Sequence, residues 1–135
     1  MRRNASQAMD LTSCTWMVRE LGEAVSCTVL LDDDSLLVGG WDGTIKHWTE
    51  VGDLVWEAKT HNRISSMVNK DGSIYATSGL HIVCLQASTG TIQWDVALEG
   101  SADAVMATSA CVLAASSVYD IEHNDFIESA IWSIS

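Results

Sequence analysis

The chain has no proline among its 135 residues and no lysine or arginine after Lys70. Residues 71–135 therefore carry acidic charge alone, and the whole chain has a formal net charge of −11. A surface of that sign repels phosphate, which argues against nucleic-acid binding and against docking on an anionic membrane surface. No apolar run approaches the ~20 residues that cross a bilayer as a helix, so no membrane span is expected. The start, Met1 to Gln7, is basic, but no apolar stretch follows it and no secretory signal is read there. Cysteine is sparse and unclustered: Cys14, Cys27, Cys84 and Cys111 form no C-x-x-C. They read as reduced thiols packed like small hydrophobes, which fits a cytoplasmic compartment.

What is present is enough for one core. Hydrophobic residues make up 47% of the chain and charged residues 19%, the balance of a folding chain and not of a disordered one. The tryptophans reveal how the chain is organised. Trp56, Trp94 and Trp132 recur at intervals of 38 residues. A fixed period in this range marks a repeat architecture. Shifting the chain by one period lays Ser35–Gly40 over Ser73–Ser78 and over Cys111–Ser116, and Gly52 over Gly90. The turns before these segments, Asp32-Asp33-Asp34, Lys70-Asp71-Gly72 and Thr108-Ser109-Ala110, coincide as well.

Each unit reads as four short strands, because runs of apolar and β-branched residues alternate with clusters of Asp, Gly, Ser, Asn and Thr. In the second unit they are expected at Ile64–Val68, Ser73–Ser78, Ile82–Gln86 and Thr91–Val96. The connectors are short enough to force hairpins, hence an antiparallel meander. A single such sheet cannot bury both its faces. Stacking successive sheets does so, and a radial stack is a β-propeller. The expected fold is all-β, with about three four-stranded antiparallel blades and part of a fourth. The chain divides into a remnant of a preceding blade and connector (1–24) and blades at 25–58, 59–96 and 97–135. Three blades fall short of a closed ring, so a piece of a longer propeller is expected.

Cys84 to Trp94, with Thr89, Gly90 and Trp94 in place, resembles the tryptophan-docking motif A-x-D-x-x-T-G-x-x-x-W of quinoprotein-type (PQQ-like) propellers. The first unit keeps Gly52 and Trp56 of it, and the third keeps Trp132 with Glu128 at the glycine position. One period earlier, Ala8 and Asp10 match its start, but Ser13, Cys14 and Val18 replace its threonine, glycine and tryptophan. A second stretch, Gly39 to Trp48 with Asp42-Gly43 in a tight turn, is similar to the D-G-T-I-K-x-W segment of WD40 repeats. Both resemblances imply a propeller blade. In it Gly43 and Gly90 supply turns of positive φ, and the tryptophans pack between neighbouring blades while donating to a backbone carbonyl. By that reading Trp56 and Trp94 are largely buried, and Trp132 less so for want of a following blade. An apolar end face of Val105, Val112, Leu113 and Ile131, with a second near Trp16, is expected to promote self-association.

No catalytic, cofactor or metal residues are assigned. His47, His61, His81 and His123 have no metal-ligand spacing, Asp32-Asp33-Asp34 reads as a solvated turn, and no nucleophile or phosphate-loop motif occurs. The expected function is a non-enzymatic scaffold for a protein partner, completed by remaining blades or by self-association. Two alternatives rest on the PQQ-like resemblance: a fragment of a quinone-dependent dehydrogenase, whose adjacent cysteine pair is missing here, or of an extracytoplasmic assembly-factor propeller.

Overall fold

The structure, a computed structural model, describes residues 18–135. The first part of the 1–24 remnant, including Ala8, Asp10 and Trp16, lies outside the described residues. The rest is built from eleven strands: β1 Val25–Leu30, β2 Leu36–Gly40, β3 Thr44–Trp48, β4 Leu54–Lys59, β5 Ile64–Lys70, β6 Ser73–Ser78, β7 His81–Gln86, β8 Ile92–Ala97, β9 Ser101–Ala107, β10 Val112–Asp120 and β11 Asp125–Ile134. They form three antiparallel meanders, β1 to β4, β5 to β8 and β9 to β11. Among the described residues no helix is long and apolar enough to cross a membrane.

Sheet stacking explains the residue pattern of each strand. The second sheet is covered on both faces, and β7 reads as a continuous apolar run for that reason. Val83 and Leu85 join Leu37, Ile45, Trp56 and Ile74 in the core shared with the first sheet. Ile82, on the opposite face, joins Val105, Val112 and Ala114 of the third sheet. The sheets converge on their first strands, where β1 meets β5 and β5 meets β9. Two hydroxyls tie these strands together at successive seams: Ser26 Oγ donates to the Ile64 carbonyl and Ser65 Oγ, at 3.1 Å, to that of Ala102.

The outer faces differ from each other. On the first sheet Leu21 folds back over Val38 and Trp48, and all three are buried. On the third sheet Met106 is 57% and Ile131 82% exposed, and with Ala104, Leu113 and Ala115 they line an open apolar hollow. Val105 and Val112, expected on this end face, turn inward to the second sheet instead. Strand alternation dictates this, since each is adjacent in sequence to an outward residue.

The third unit has three strands where four were expected. In the second unit the chain turns at Gly79-Leu80, with Gly79 at φ 61°. One period on stand Ser117 and Val118, neither of which reverses the chain cheaply. Strand β10 therefore runs on to Asp120, and the reversal waits for Asn124, at φ 54°. The long β10–β11 hairpin consumes the residues of a fourth strand. Trp132, one period after the β8 residue Trp94, thus sits on a third strand opposite Ala114 and packs back on the second sheet. Its half-burial comes from the preceding sheet, not from the lack of a following one.

This register is directly checkable. Ala115 lies opposite Ile131 across β10 and β11 on the outer face. Neighbouring strands are about 4.8 Å apart, within reach of a disulfide, whereas the two strands' separation of a four-stranded sheet is not. An Ala115→Cys/Ile131→Cys pair in a Cys111→Ser background is expected to close quantitatively on mild oxidation, as read by thiol titration. Failure to close would place Trp132 on a fourth strand.

Candidate functional site

The repeat motif acts between sheets. Trp56, on β4, is 7% exposed and lies against the β7–β8 turn of the next sheet. Its Nε1–H donates to the Ala87 carbonyl at 2.8 Å. Gly90 forms the floor beneath the indole: a Cβ there would come within 2.4 Å of Trp56 Cε3, and the residue sits at φ 75°. Glycine is required twice over, for its backbone conformation and for the closeness of the ring. Thr89 braces the turn, its Oγ1 bonding Thr91 Oγ1 at 2.9 Å and Gln86 Oε1 at 3.2 Å. Gly52, at φ 88°, holds the equivalent β3–β4 turn, and its carbonyl accepts from Arg19 Nε at 2.7 Å.

Trp94 faces the third sheet in the same sense but is only half-buried, tilted against Tyr75 at 5.9 Å between ring centroids. Its partner turn is missing. Glu128, one period after Gly90, lies inside β11, so no turn carbonyl meets the indole among the described residues. Trp132 Nε1–H donates within its own sheet, to Ser116 Oγ at 2.8 Å.

Asp42 and Gly43 form the β2–β3 turn as the WD40-like segment implies. Asp42 Oδ1 accepts from the Thr44 amide at 2.9 Å, and Oδ2 lies 2.9 Å from Lys59 Nζ. The Thr44 amide bond first, and then Lys59, lower the Asp42 pKa to about 2. Gly43 has φ 88°, and a Cβ would strike the Asn62 carbonyl oxygen and Thr60 Oγ1, each at 2.8 Å.

The ends of the sheets carry the remaining polar chemistry. Between the β1–β2 and β5–β6 turns opens a hollow of about 660 Å³ lined by Asp33, His47, Asp71, Gln86 and Gln93 among others. The triple aspartate is a hairpin turn there, with Asp34 at φ 63°. His47 Nε2 bonds Ser35 Oγ at 3.0 Å, and Ser35 in turn donates to Asp33 Oδ1. In this order the serine stands between histidine and aspartate, and it is 2% exposed. A nucleophilic relay needs the histidine in the middle and the serine reachable. Burial pushes the His47 pKa down, partly offset by the Asp33 charge, and the edge of its ring meets Trp56 at 5.5 Å.

At the opposite end the structure gathers what the sequence scattered. His61, from the β4–β5 connection, His81 at the start of β7, and Asp95 on β8 bring three ligand atoms within 4.8 Å of one another. Positions 61, 81 and 95 have no metal-ligand spacing along the chain, and only the fold joins them. His47 and His123 lie elsewhere, His123 Nδ1 bonding Asp120 Oδ2 at 2.5 Å. Three second-to-third-strand regions show apolar side chains at this end. Trp41 is 50% and Leu80 53% exposed, Ile121 in the β10–β11 turn is 85% exposed, and the Arg63 guanidinium sits 4.1 Å over the Trp41 ring.

Together the stacked meanders define a β-propeller-type repeat fold, open at the third sheet. Comparison with solved structures agrees. The chain is similar to the Cps50 (Swd1) β-propeller domain of Myceliophteria thermophila, with a TM-score of 0.66 at 15% identity over 87% of this chain and 40% of that one. It is similar to the RRP9 WD40 repeats, TM-score 0.60 at 16% identity over 82% of this chain and 39% of that one. The computationally designed Ika8 protein also matches, TM-score 0.64 at 16% identity over 82% of this chain and 33% of that one. The chain thus spans between a third and two fifths of these structures' lengths. No protein-family model and no curated protein matches it.

Substitution of the docking pair measures its share of the stability. Trp56→Ala is expected to cost about 3–5 kcal/mol in chemical denaturation, and the half-buried Trp94 clearly less. Gly90→Ala, which adds both strain and a clash, is expected to lower stability by more than ~1 kcal/mol. Equal costs at Trp56 and Trp94, or a neutral Gly90→Ala, would contradict the docking described.

Proposed function

We propose that the chain is a non-enzymatic β-propeller-type scaffold that holds a protein partner on the end formed by the β2–β3 and β6–β7 turns and the β4–β5 connection. The observation that carries this reading is the half-exposed Trp41 beneath the Arg63 guanidinium, with Leu80 on the neighbouring sheet. Tryptophan and arginine anchor protein interfaces more often than other residues. Turns fixed by a rigid stack present such anchors with little entropy to lose on binding. The acidic balance of the chain favours a partner with basic rim residues. The Trp56–Gly90–Ala87 contact supports kinship with tryptophan-docking repeats, while the Asp42-Gly43 turn supports kinship with WD40 repeats. A reducing, cytoplasmic setting fits Cys27, Cys84 and Cys111, which form no disulfide among the described residues.

The test compares the chain with a Trp41→Ala/Leu80→Ala variant, both positions being exposed. Partners captured from a lysate of the source cells and identified by mass spectrometry are expected to be lost with the variant at unchanged thermal stability. Identical capture by both would remove this end as the interface.

The open face of the third sheet belongs to the same reading. Met106 and Leu113 stand one period after Val68 and Tyr75, which the second sheet packs against the third, so a further sheet is the natural cover of this face, whether from a longer chain or a second copy. Expressed alone, the chain is expected to associate with rising concentration, more strongly at high salt, which screens the mutual repulsion of −11 charges. Sedimentation is expected to show Met106→Lys/Ile131→Lys as a monomer. A wild-type monomer at both high and low salt would show that the face needs no cover.

A further inference from the structure

The seam between the first two sheets carries a ligand set independent of any protein partner. Asp95 pairs across the ladder with Val83, two residues beyond His81. Side chains alternate along a strand, so His81 and Asp95 are diagonal neighbours on the face that Val83 turns toward the first sheet. His61 reaches the same point from the connection that leaves the first sheet. Asp95 Oδ1 bonds His81 Nδ1 at 2.6 Å, and Oδ2 bonds His61 Nε2. The two imidazoles stack with centroids 3.9 Å apart and planes 22° from parallel.

We propose that His61 Nε2, His81 Nδ1 and a carboxylate oxygen of Asp95 form a binding site for a zinc-like divalent transition-metal ion. Ligand atoms around tetrahedral zinc, at ~2.0–2.1 Å from the metal, stand about 3.3 Å from one another. The three atoms here already lie within 4.8 Å, so modest side-chain rotation closes the set. Two nitrogens and one oxygen suit a borderline ion and not calcium or magnesium, which take oxygen shells. Among the described residues no lysine or arginine pairs with Asp95, whose carboxylate faces the two imidazoles alone.

The histidine side chains are 47% and 30% exposed, which gives an ion a way in and leaves a fourth position to water. On binding, each nitrogen that now bonds Asp95 turns its lone pair to the metal, and any proton there moves to the other ring nitrogen or to solvent. The ion would pin the β4–β5 connection to β7 and β8, and so fasten the first sheet to the second.

The experiment is a Co²⁺ titration of the untagged full chain in metal-free buffer, followed by displacement with Zn²⁺. One Co²⁺ per chain is expected, with the visible absorption of a tetrahedral nitrogen–oxygen site, displaced by Zn²⁺ and not by Ca²⁺ or Mg²⁺. Zn²⁺ is expected to raise the melting temperature. His61→Ala, at an exposed loop position, and Asp95→Asn are each expected to weaken binding by about tenfold or more with unchanged circular dichroism, while His123→Ala leaves it intact. Substoichiometric binding, binding indifferent to both His61→Ala and Asp95→Asn, or a thiolate-to-cobalt charge-transfer band marking a cysteine site would each overturn the assignment.

Discussion

A four-stranded sheet with apolar side chains on both faces must be covered twice, and this constraint governs the molecule. The second sheet shows it met: Ile82 joins one core, Val83 and Leu85 the other, and all three are buried, as is Cys84 between them. Around it the first sheet needs Leu21 over its outer face, and the third leaves Met106 and Ile131 in water. The cores supply cohesion without direction. Direction comes from a few polar bonds between sheets, namely Ser26 and Ser65 at the first strands and the Trp56 indole near the last.

Trp56 combines both kinds of force. Burying an indole removes roughly 200 Å² from water, worth up to about 5 kcal/mol, and that gain is indifferent to orientation. The bond to the Ala87 carbonyl and the bare surface of Gly90 fix where the ring must lie, and with it the angle of one sheet on the next. Trp94 and Trp132 show what the same residue does without that receptor. One settles half-buried beside Tyr75, and the other turns inward on a different strand.

The candidate functional features gather at the ends of the stack, where backbone turns replace packed strands. Rigid sheets hold Trp41, Arg63 and Leu80 at one end while leaving them exposed, and the connection between sheets brings His61 to His81 and Asp95 at the same end. The proposed partner-binding surface and the proposed metal site share one physical origin: turn and connection residues are free of the core and are held still by it.

The period of 38, the hairpin turns and the faces of most strands were legible in the sequence, because each depends on residues close to one another along the chain. The second unit is the clearest case, its four strands falling within about two residues of their expected bounds. Positive φ at Gly43 and Gly90 followed in the same way from local turn chemistry. Equivalence by period failed in the third unit, where the loss of glycine at Ser117 moved the reversal to Asn124 and shifted Trp132 to another strand. The partners of Trp56 and the convergence of His61, His81 and Asp95 were decided by tertiary structure alone. The physical reason is that these contacts join side chains from different strands and sheets, whose distances depend on how the sheets stack and not on the count of residues between them.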